Sequence, residues 1–433
     1  MMIEWNGAFD GSQMLWLLVA AILLLLLLLP ALMGLLSRGR VLQLPLNPEQ
    51  WLTGAALHSA LWLLVLHSLA FGPSLGTTPD DPGEAAPRPM SEMMRDPANQ
   101  KDIRPFFGRG GFIGDLNFAG FAHLEAQGDP GEPLFASRRP HHSVSLSAFV
   151  ILQLAVYLCA VGGVAAAAAA TGASAARILG FTLGWGILIY VPVAHWVWGE
   201  GWLGIRHALD TGGSLFLLLI SSSALVVGTR RSPTADMNHS TNCTNIEFFS
   251  VGLLWLSFPV LACSLQVPVA PLRSLMMLNL LAAAIGGFSC SGLLRLAFAS
   301  GGTVPVYGLL TGMAATAAGA VLYDPMTALI CGAAGTVTAL IGCSLLKKWT
   351  VTAVSTIPLQ ISIAAAIGML LPGLLASSSN GVFHWNRTPI ESLIHGKSEL
   401  LSIQALAVAA VSIWSCGGTA ILSRLLKQQQ LTE

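Results

Sequence analysis

Long stretches without a single charged side chain recur from one end of the chain to the other, and they decide what it can fold into. Residues 11–37 contain no Asp, Glu, Lys or Arg, and neither do 325–346 or 349–386. Crossing the hydrocarbon core of a bilayer takes roughly 20 apolar residues in a helix, and each run is long enough. Over the whole sequence 54% of residues are apolar and 10% charged. A soluble domain carries roughly a quarter charged residues, so this chain could not coat a water-facing surface of its size. Backbone polar groups in lipid must be satisfied within the segment, which selects helices, and strand-like alternation is absent. The expected fold class is all-α and polytopic. A soluble enzyme, a nucleic-acid binder and a disordered scaffold are excluded.

Hydropathy places eleven candidate spans near 12–36, 50–71, 145–170, 177–198, 212–228, 248–266, 274–299, 304–322, 325–346, 350–376 and 400–423. Basic residues fall on every second connection: Arg38/Arg40, Arg177, Arg230/Arg231, Arg295, Lys347/Lys348 and Arg424/Lys427. Positive charge in short loops marks the cytoplasmic side. With an odd number of spans, the N-terminus is expected outside and the C-terminus inside. The first residues, MMIEWNGAFDGSQ, lack the basic n-region of a signal peptide, so the first span is expected to be retained. Residues 72–144 read as a long external segment, 377–399 as a second one, and 425–433 as a short cytoplasmic tail. Residues 1–433 together read as a single transmembrane domain of the cell (inner) membrane.

Twenty-one basic residues balance twenty-one acidic ones, so net charge argues for no particular partner. Six of the seven cysteines lie in apolar stretches, and Cys243 lies in a polar loop. None has CxxC or Cys/His spacing, so no metal site is expected, and the buried ones read as small hydrophobes. No nucleophile–base constellation and no cofactor motif appears, so no enzyme activity and no cofactor are expected. Small residues crowd several spans, as in GGVAAAAAATGASAA (162–176), TGMAATAAGA (311–320) and CGAAGTVTALIG (331–342). They let helix backbones approach closely, in bundles that enclose a path and in bundles that conduct nothing.

The fourth span ends in YVPVAHWVWGEGWL (190–203), followed by HALDTGG (207–213). This resembles the ammonium transporter family (Amt, with its yeast and Rhesus relatives). There a Tyr-x-Pro-x-Ala-His-x-x-Trp-Gly-x-Gly-Trp run precedes Leu-Asp-x-x-Gly-Gly. HSLAFGP (67–73) and GGFIGDLNFAGF (110–121) are similar to the family's external segment between spans two and three. The number and order of spans agree too. The resemblance implies an Amt/Rh-like bundle of eleven helices, a homotrimer, and ammonium or ammonia, or another small solute, as the transported species.

Ammonium is a small cation whose dehydration is costly unless something replaces its water. An external site that does so needs an aromatic face, worth about 0.5–2 kcal/mol, and an oxygen acceptor. The resemblance implies that Trp198 and Ser264 supply these, and that Asp210 orders the vestibule and adds negative potential. From the residues alone, Trp198 also fits an interfacial belt, and Asp210 also fits a helix cap before Thr211-Gly212-Gly213. Glu200 stands where the family has Gly and adds a carboxylate nearby.

Deeper positions depart from the family. Val156 and Val260 occupy the places of its two stacked Phe rings, the gate beneath the external site. Leu217 falls where the first of two pore His residues belongs, and Ile361, or Gln360 with a one-residue slip, where the second belongs. The acidic residue preceding that second His is replaced by the neutral run VSTIPLQIS (354–362). His58 and His67 lie nine positions apart on span two and so on nearly opposite helix faces, and His195 belongs to the AHWVW run. A structural hydrogen bond is the expected role of His58. The short tail lacks the family's long cytoplasmic segment, so no regulatory partner is expected there. Three functions stay open: channel-like passage of ammonium or ammonia through a degenerate pore, a non-transporting sensor or structural subunit, and a neutral-gas channel.

Overall fold

Helices occupy all eleven predicted positions, though not all at full length. The computed structural model describes residues 11–37, 47–72, 74–75, 110–116, 118–121, 146–199, 201–229, 245–265, 272–298, 304–347, 356–376, 384–385, 388–389 and 392–426. Helix α1 spans Gly11–Leu36, α2 Pro48–Phe71, α3 Leu146–Ala169 and α4 Ala175–Trp198. Helix α5 spans Ser214–Gly228, α6 Asn245–Leu265, α7 Arg273–Phe298 and α8 Tyr307–Ala314. Helix α9 spans Pro325–Lys347, α10 Thr356–Leu375 and α11 Glu399–Leu422. Among the described residues nine of these are long and apolar enough to cross a membrane, α5 and α8 being the shorter two. This is an integral membrane protein built as an all-α bundle. An antiparallel pair of two-residue strands, β1 (His384–Trp385) and β2 (Thr388–Pro389), lies within the second predicted loop segment.

Burial separates the middle of the bundle from its flanks. In α3, 78% of the most apolar window is buried, against 22% in α11. The Ala and Gly residues of α3 let α1, α2 and α5 close around it. In the α7–α9 half the backbones nearly touch: a methyl group on Gly312 would collide with the Ala283 carbonyl.

Three helices carry a single π-helical turn, at Leu24–Leu28, Trp62–Leu66 and Gly186–Tyr190. Proline follows two of them, as Pro30 and Pro192. Pro192 brings no N–H for the carbonyl four residues back, and Trp414 of α11 donates its indole N–H to that carbonyl, Leu188 O, at 3.0 Å. The turn in α2 contains no proline. There Trp62 stacks on Tyr157 of α3 with ring centroids 4.8 Å apart.

Helix α5 is fixed by three consecutive serines. Successive residues point about 100° apart around a helix, so each hydroxyl meets a different neighbour. Ser221 Oγ lies 2.7 Å from Ser362 Oγ of α10, and Ser222 Oγ lies 2.6 Å from Ser415 Oγ of α11. Ser223 Oγ accepts from Trp185 Nε1 of α4 at 3.0 Å and from Thr419 Oγ1 of α11 at 3.1 Å.

The eighth span corrects the expectation of a continuous helix over 304–322. Helix α8 stops at Ala314, a 3-10 turn covers Ala317–Gly319, and non-helical backbone continues to Tyr323. Irregular backbone survives at membrane depth only when protein groups satisfy it. Thr211 Oγ1 donates to Ala318 O at 2.8 Å, and Ser214 Oγ donates to Ala314 O at 3.0 Å. Asn279 Nδ2 donates to both Ala320 O and Tyr323 O, at 2.8 and 2.6 Å. Small side chains over 311–320 allow this, because nothing bulky keeps those donors away.

Candidate functional site: a polar mouth above an apolar cavity

The loop after α4 turns back to start α5, and Asp210 organises that turn. Its Oδ1 accepts from Gly213 N and Ser214 N, and its Oδ2 from Leu215 N, at 2.8 to 3.0 Å. Gly213 takes a positive φ of 86°, a conformation that suits glycine. The carboxylate thus satisfies three of the N–H groups that every helix start leaves open. Burial pushes its carboxyl up to about 6, against the three N–H donors, which favour the charged form. The preceding residue is held from the other side: Gln404 of α11 accepts from Leu209 N and donates to Leu209 O.

The same turn abuts the end of α6. A Cβ on Gly213 would lie 3.0 Å from Leu265 Cδ1, beside Ser264. Ser264 is buried and donates its hydroxyl hydrogen to Val260 O at 2.7 Å. Its lone pairs remain the acceptor such a site requires. Trp198 closes α4 and packs partly buried against the core. The expected trio therefore sits at one end of the bundle, on the ends of α4 and α6 and the start of α5. Glu200 and Cys243 lie outside the described residues.

A short segment roofs this end. Gly114 N donates to Leu69 O, Phe118 N donates to Ser68 Oγ, and Trp196 Nε1 donates to Phe112 O. His195 fastens the end of α2 beneath it. Ala70 O can only accept, so the proton sits on Nδ1, 3.1 Å away, and Nε2 accepts from Ser74 Oγ at 2.9 Å.

Within the bundle lies a small cavity lined by Leu32, Leu217, Phe258, Met313 and Ile361 among others, and among the described residues Ser221 is its only polar wall residue. Its free space admits the centre of a water-sized molecule over about 20 Å³, room for about one small molecule. Leu217 and Ile361, where the resemblance expected a His pair, both face it. Gln360, the one-residue alternative, does not line it and is half-buried. Val156 of α3 and Val260 of α6 are 2% and 9% exposed, each packed into the core without an aromatic ring.

Ser221 is the residue sequence reasoning missed. It stands four positions after Leu217 and so one turn along the same helix face, a spacing that could have found it. His58 makes two hydrogen bonds away from the cavity. Thr182 Oγ1 donates to Leu179 O, so it accepts from His58 Nε2–H at 3.1 Å, and His58 Nδ1 accepts from Tyr157 OH at 2.8 Å. Those directions describe a neutral imidazole held between three helices. Among the described residues no group of three His, Cys, Asp or Glu is placed to hold a metal ion.

Comparison with known proteins turns on one result: residues 103–430 match the model of the Ammonium Transporter Family. The chain belongs to that family. It is 28% identical over 312 residues to the ammonium transporter of Bacillus subtilis, a match covering 70% of this chain and 72% of that one. The crystal structure of Saccharomyces cerevisiae Mep2 superposes with a TM-score of 0.72 at 19% identity, covering 97% of this chain and 88% of that one. A structure titled Sensor Amt Protein gives 0.68 at 18% identity, covering 96% and 93%. At those identities the structures speak for the fold alone. The bundle is Amt/Rh-like, and family membership makes the chain a non-enzymatic membrane protein of transporter type.

Proposed function

We propose that this protein receives ammonium at its mouth, where the ion gives its proton to the external water, and passes ammonia, the neutral form, through a degenerate pore. Trp198, Ser264 and Asp210 are the mouth residues in this reading, facing the outside, with the N-terminus outside and the C-terminus cytoplasmic. The observation that carries it is the wall of the cavity: Leu217 and Ile361 stand on it, and among the described residues its one polar side chain is Ser221. Among the described residues no group on that wall takes up or hands on a proton. Any ion crossing it would remain a cation among hydrocarbon side chains, at a cost of at least about 2.5–3.5 kcal/mol. Ammonia escapes that cost. The unit of function is a single transmembrane domain over 1–433, assembled as a homotrimer in the cell (inner) membrane, with no cofactor and no nucleic-acid partner.

The burial of Val156 and Val260 in the core favours a second reading, a non-transporting sensor or structural subunit. Vesicles holding the purified protein separate the two. In an ammonium chloride jump, ammonia entry consumes internal protons and raises internal pH without current. Rates equal to protein-free vesicles would leave the non-transporting reading. A neutral-gas channel for another solute predicts entry of that gas with no ammonia flux. Impermeant labelling of single cysteines checks orientation, and modification near Arg230 from outside would overturn it.

A further inference from the structure

We infer that the Ser221–Ser362 hydroxyl pair is a binding site on the pore cavity, acceptor-only and uncharged, for a small neutral molecule carrying an N–H or O–H donor. This rests on the reading of passage in neutral form and names what the pore recognises.

The argument follows the hydroxyl hydrogens. The two Oγ atoms are 2.7 Å apart, so one hydroxyl donates to the other. Ser362 Oγ also has Pro358 O at 2.8 Å, and Ser221 Oγ has Leu218 O at 3.4 Å. If Ser362 donates to Pro358 O, Ser221 donates to Ser362, and both lone pairs of Ser221 stay open. If Ser362 donates to Ser221, then Ser221 donates to Leu218 O and keeps one lone pair. With each hydroxyl hydrogen placed on a protein acceptor, both arrangements use up the two hydrogens within the pair and its backbone. Ser221 Oγ, which lines the cavity, therefore presents only acceptor capacity there.

An acceptor in an apolar pocket selects its ligand in two ways. A molecule with no N–H or O–H leaves the oxygen lone pair without a partner, and a buried polar group left unpaired is costly. A cation brings a charge that a single neutral hydroxyl pair does not compensate in place of its water shell. A serine hydroxyl does not accept a proton near neutral pH, so the ligand keeps its own protons. Ammonia, methylamine and water meet these conditions, and the cavity's size limits the site to about one of them.

The test uses the full-length protein in vesicles, with ammonium chloride as the probe and internal alkalinisation as the readout. Ser221→Ala should slow the protein-dependent rate about fivefold, equivalent to about 1 kcal/mol for one lost hydrogen bond. Ser221→Thr, which keeps the hydroxyl, should restore it. Ser222→Ala removes a similar interhelix hydroxyl contact, to Ser415, away from the cavity. Equal slowing by Ser222→Ala would mean that Ser221 acts through packing, and the site would fall. Unchanged flux in Ser221→Ala would overturn it as well. A second arm needs no flux: detergent-solubilised protein is melted with and without methylamine at alkaline pH, where the free base predominates. Binding to the folded form raises the midpoint. A methylamine-dependent rise in the unmodified protein that disappears in Ser221→Ala supports the site even if the unmodified protein moves no ammonia, in which case only the passage reading fails. No rise in either protein overturns the site.

Discussion

The mouth and the middle of this molecule treat polar side chains in opposite ways. At the mouth, the groups that match the family signature are also structural. Asp210 holds three backbone N–H groups, Ser264 bonds its own helix, and His195 pins the end of α2. In the middle, the side chains of Leu217 and Ile361, the positions proposed to stand in place of a pore His pair, make no hydrogen bonds and simply line a cavity. A polar residue with two jobs is held in place by either one. A polar residue whose only job is to handle a solute can be replaced by leucine without loss of the bundle. A signature found at the mouth therefore identifies the fold, and the cavity wall carries the information about activity.

The largest expected effect tests the middle. Charged ammonium conduction should be about a thousandfold below that of a relative with a pore His pair, for a barrier raised by about 4 kcal/mol. Leu217→His combined with Ile361→His should raise it, read as current in reconstituted vesicles. Robust saturable current from the unmodified protein would erase the contrast between mouth and middle.

Next in size is the structural duty of Asp210. Asp210→Ala strands three buried N–H groups and should cost about 3 kcal/mol. Asp210→Asn keeps one acceptor oxygen for Gly213 and Ser214 N–H and sheds a buried charge but turns an amide NH2 toward Leu215 N–H, so it should cost about 1–2 kcal/mol. Thermal unfolding of the solubilised protein measures both. Equal losses would show that the charge itself, rather than the acceptor, holds the turn.

A smaller effect concerns pH. Burial raises the Asp210 carboxyl to about 6, so its negative charge is present above that pH and lost below it. Methylammonium binding at the mouth, followed by Trp fluorescence, should weaken about fivefold as pH falls through that value, equivalent to about 1 kcal/mol of lost attraction. Affinity left flat across this range, or unchanged by Trp198→Leu with Asp210→Asn, would reduce the mouth to its structural role. The smallest effect is Ser222→Ala, which should lower stability by about 0.6 kcal/mol, typical of an interhelix hydroxyl bond in a membrane, and leave ammonia flux unchanged.

Composition and hydropathy carried most of the fold, because the bilayer restricts the choice to helices of nearly fixed length. The places of all eleven spans were readable for that reason. What escaped was the break after Ala314. A hydropathy window registers apolarity and does not distinguish helix from sealed irregular backbone, and the donors that seal it, Thr211, Ser214 and Asn279, are remote in sequence. At the mouth, the capping role of Asp210 was readable from local spacing. The hydroxyl pair in the middle was not, because Ser221 and Ser362 meet only when α5 and α10 pack.

The broken eighth span also bears on how the chain is made. Helix α8 has eight residues, a length of about 12 Å, and the hydrocarbon core is about 30 Å thick. Leaving the ribosome by itself, this segment would expose bare carbonyls to lipid tails. The side-chain donors from other elements that cover them, Asn279 of α7, Thr211 in the turn before α5 and Ser214 at its start, lie earlier in the sequence and so are already synthesised when it emerges. The order of translation thus supplies the seal before the segment that needs it.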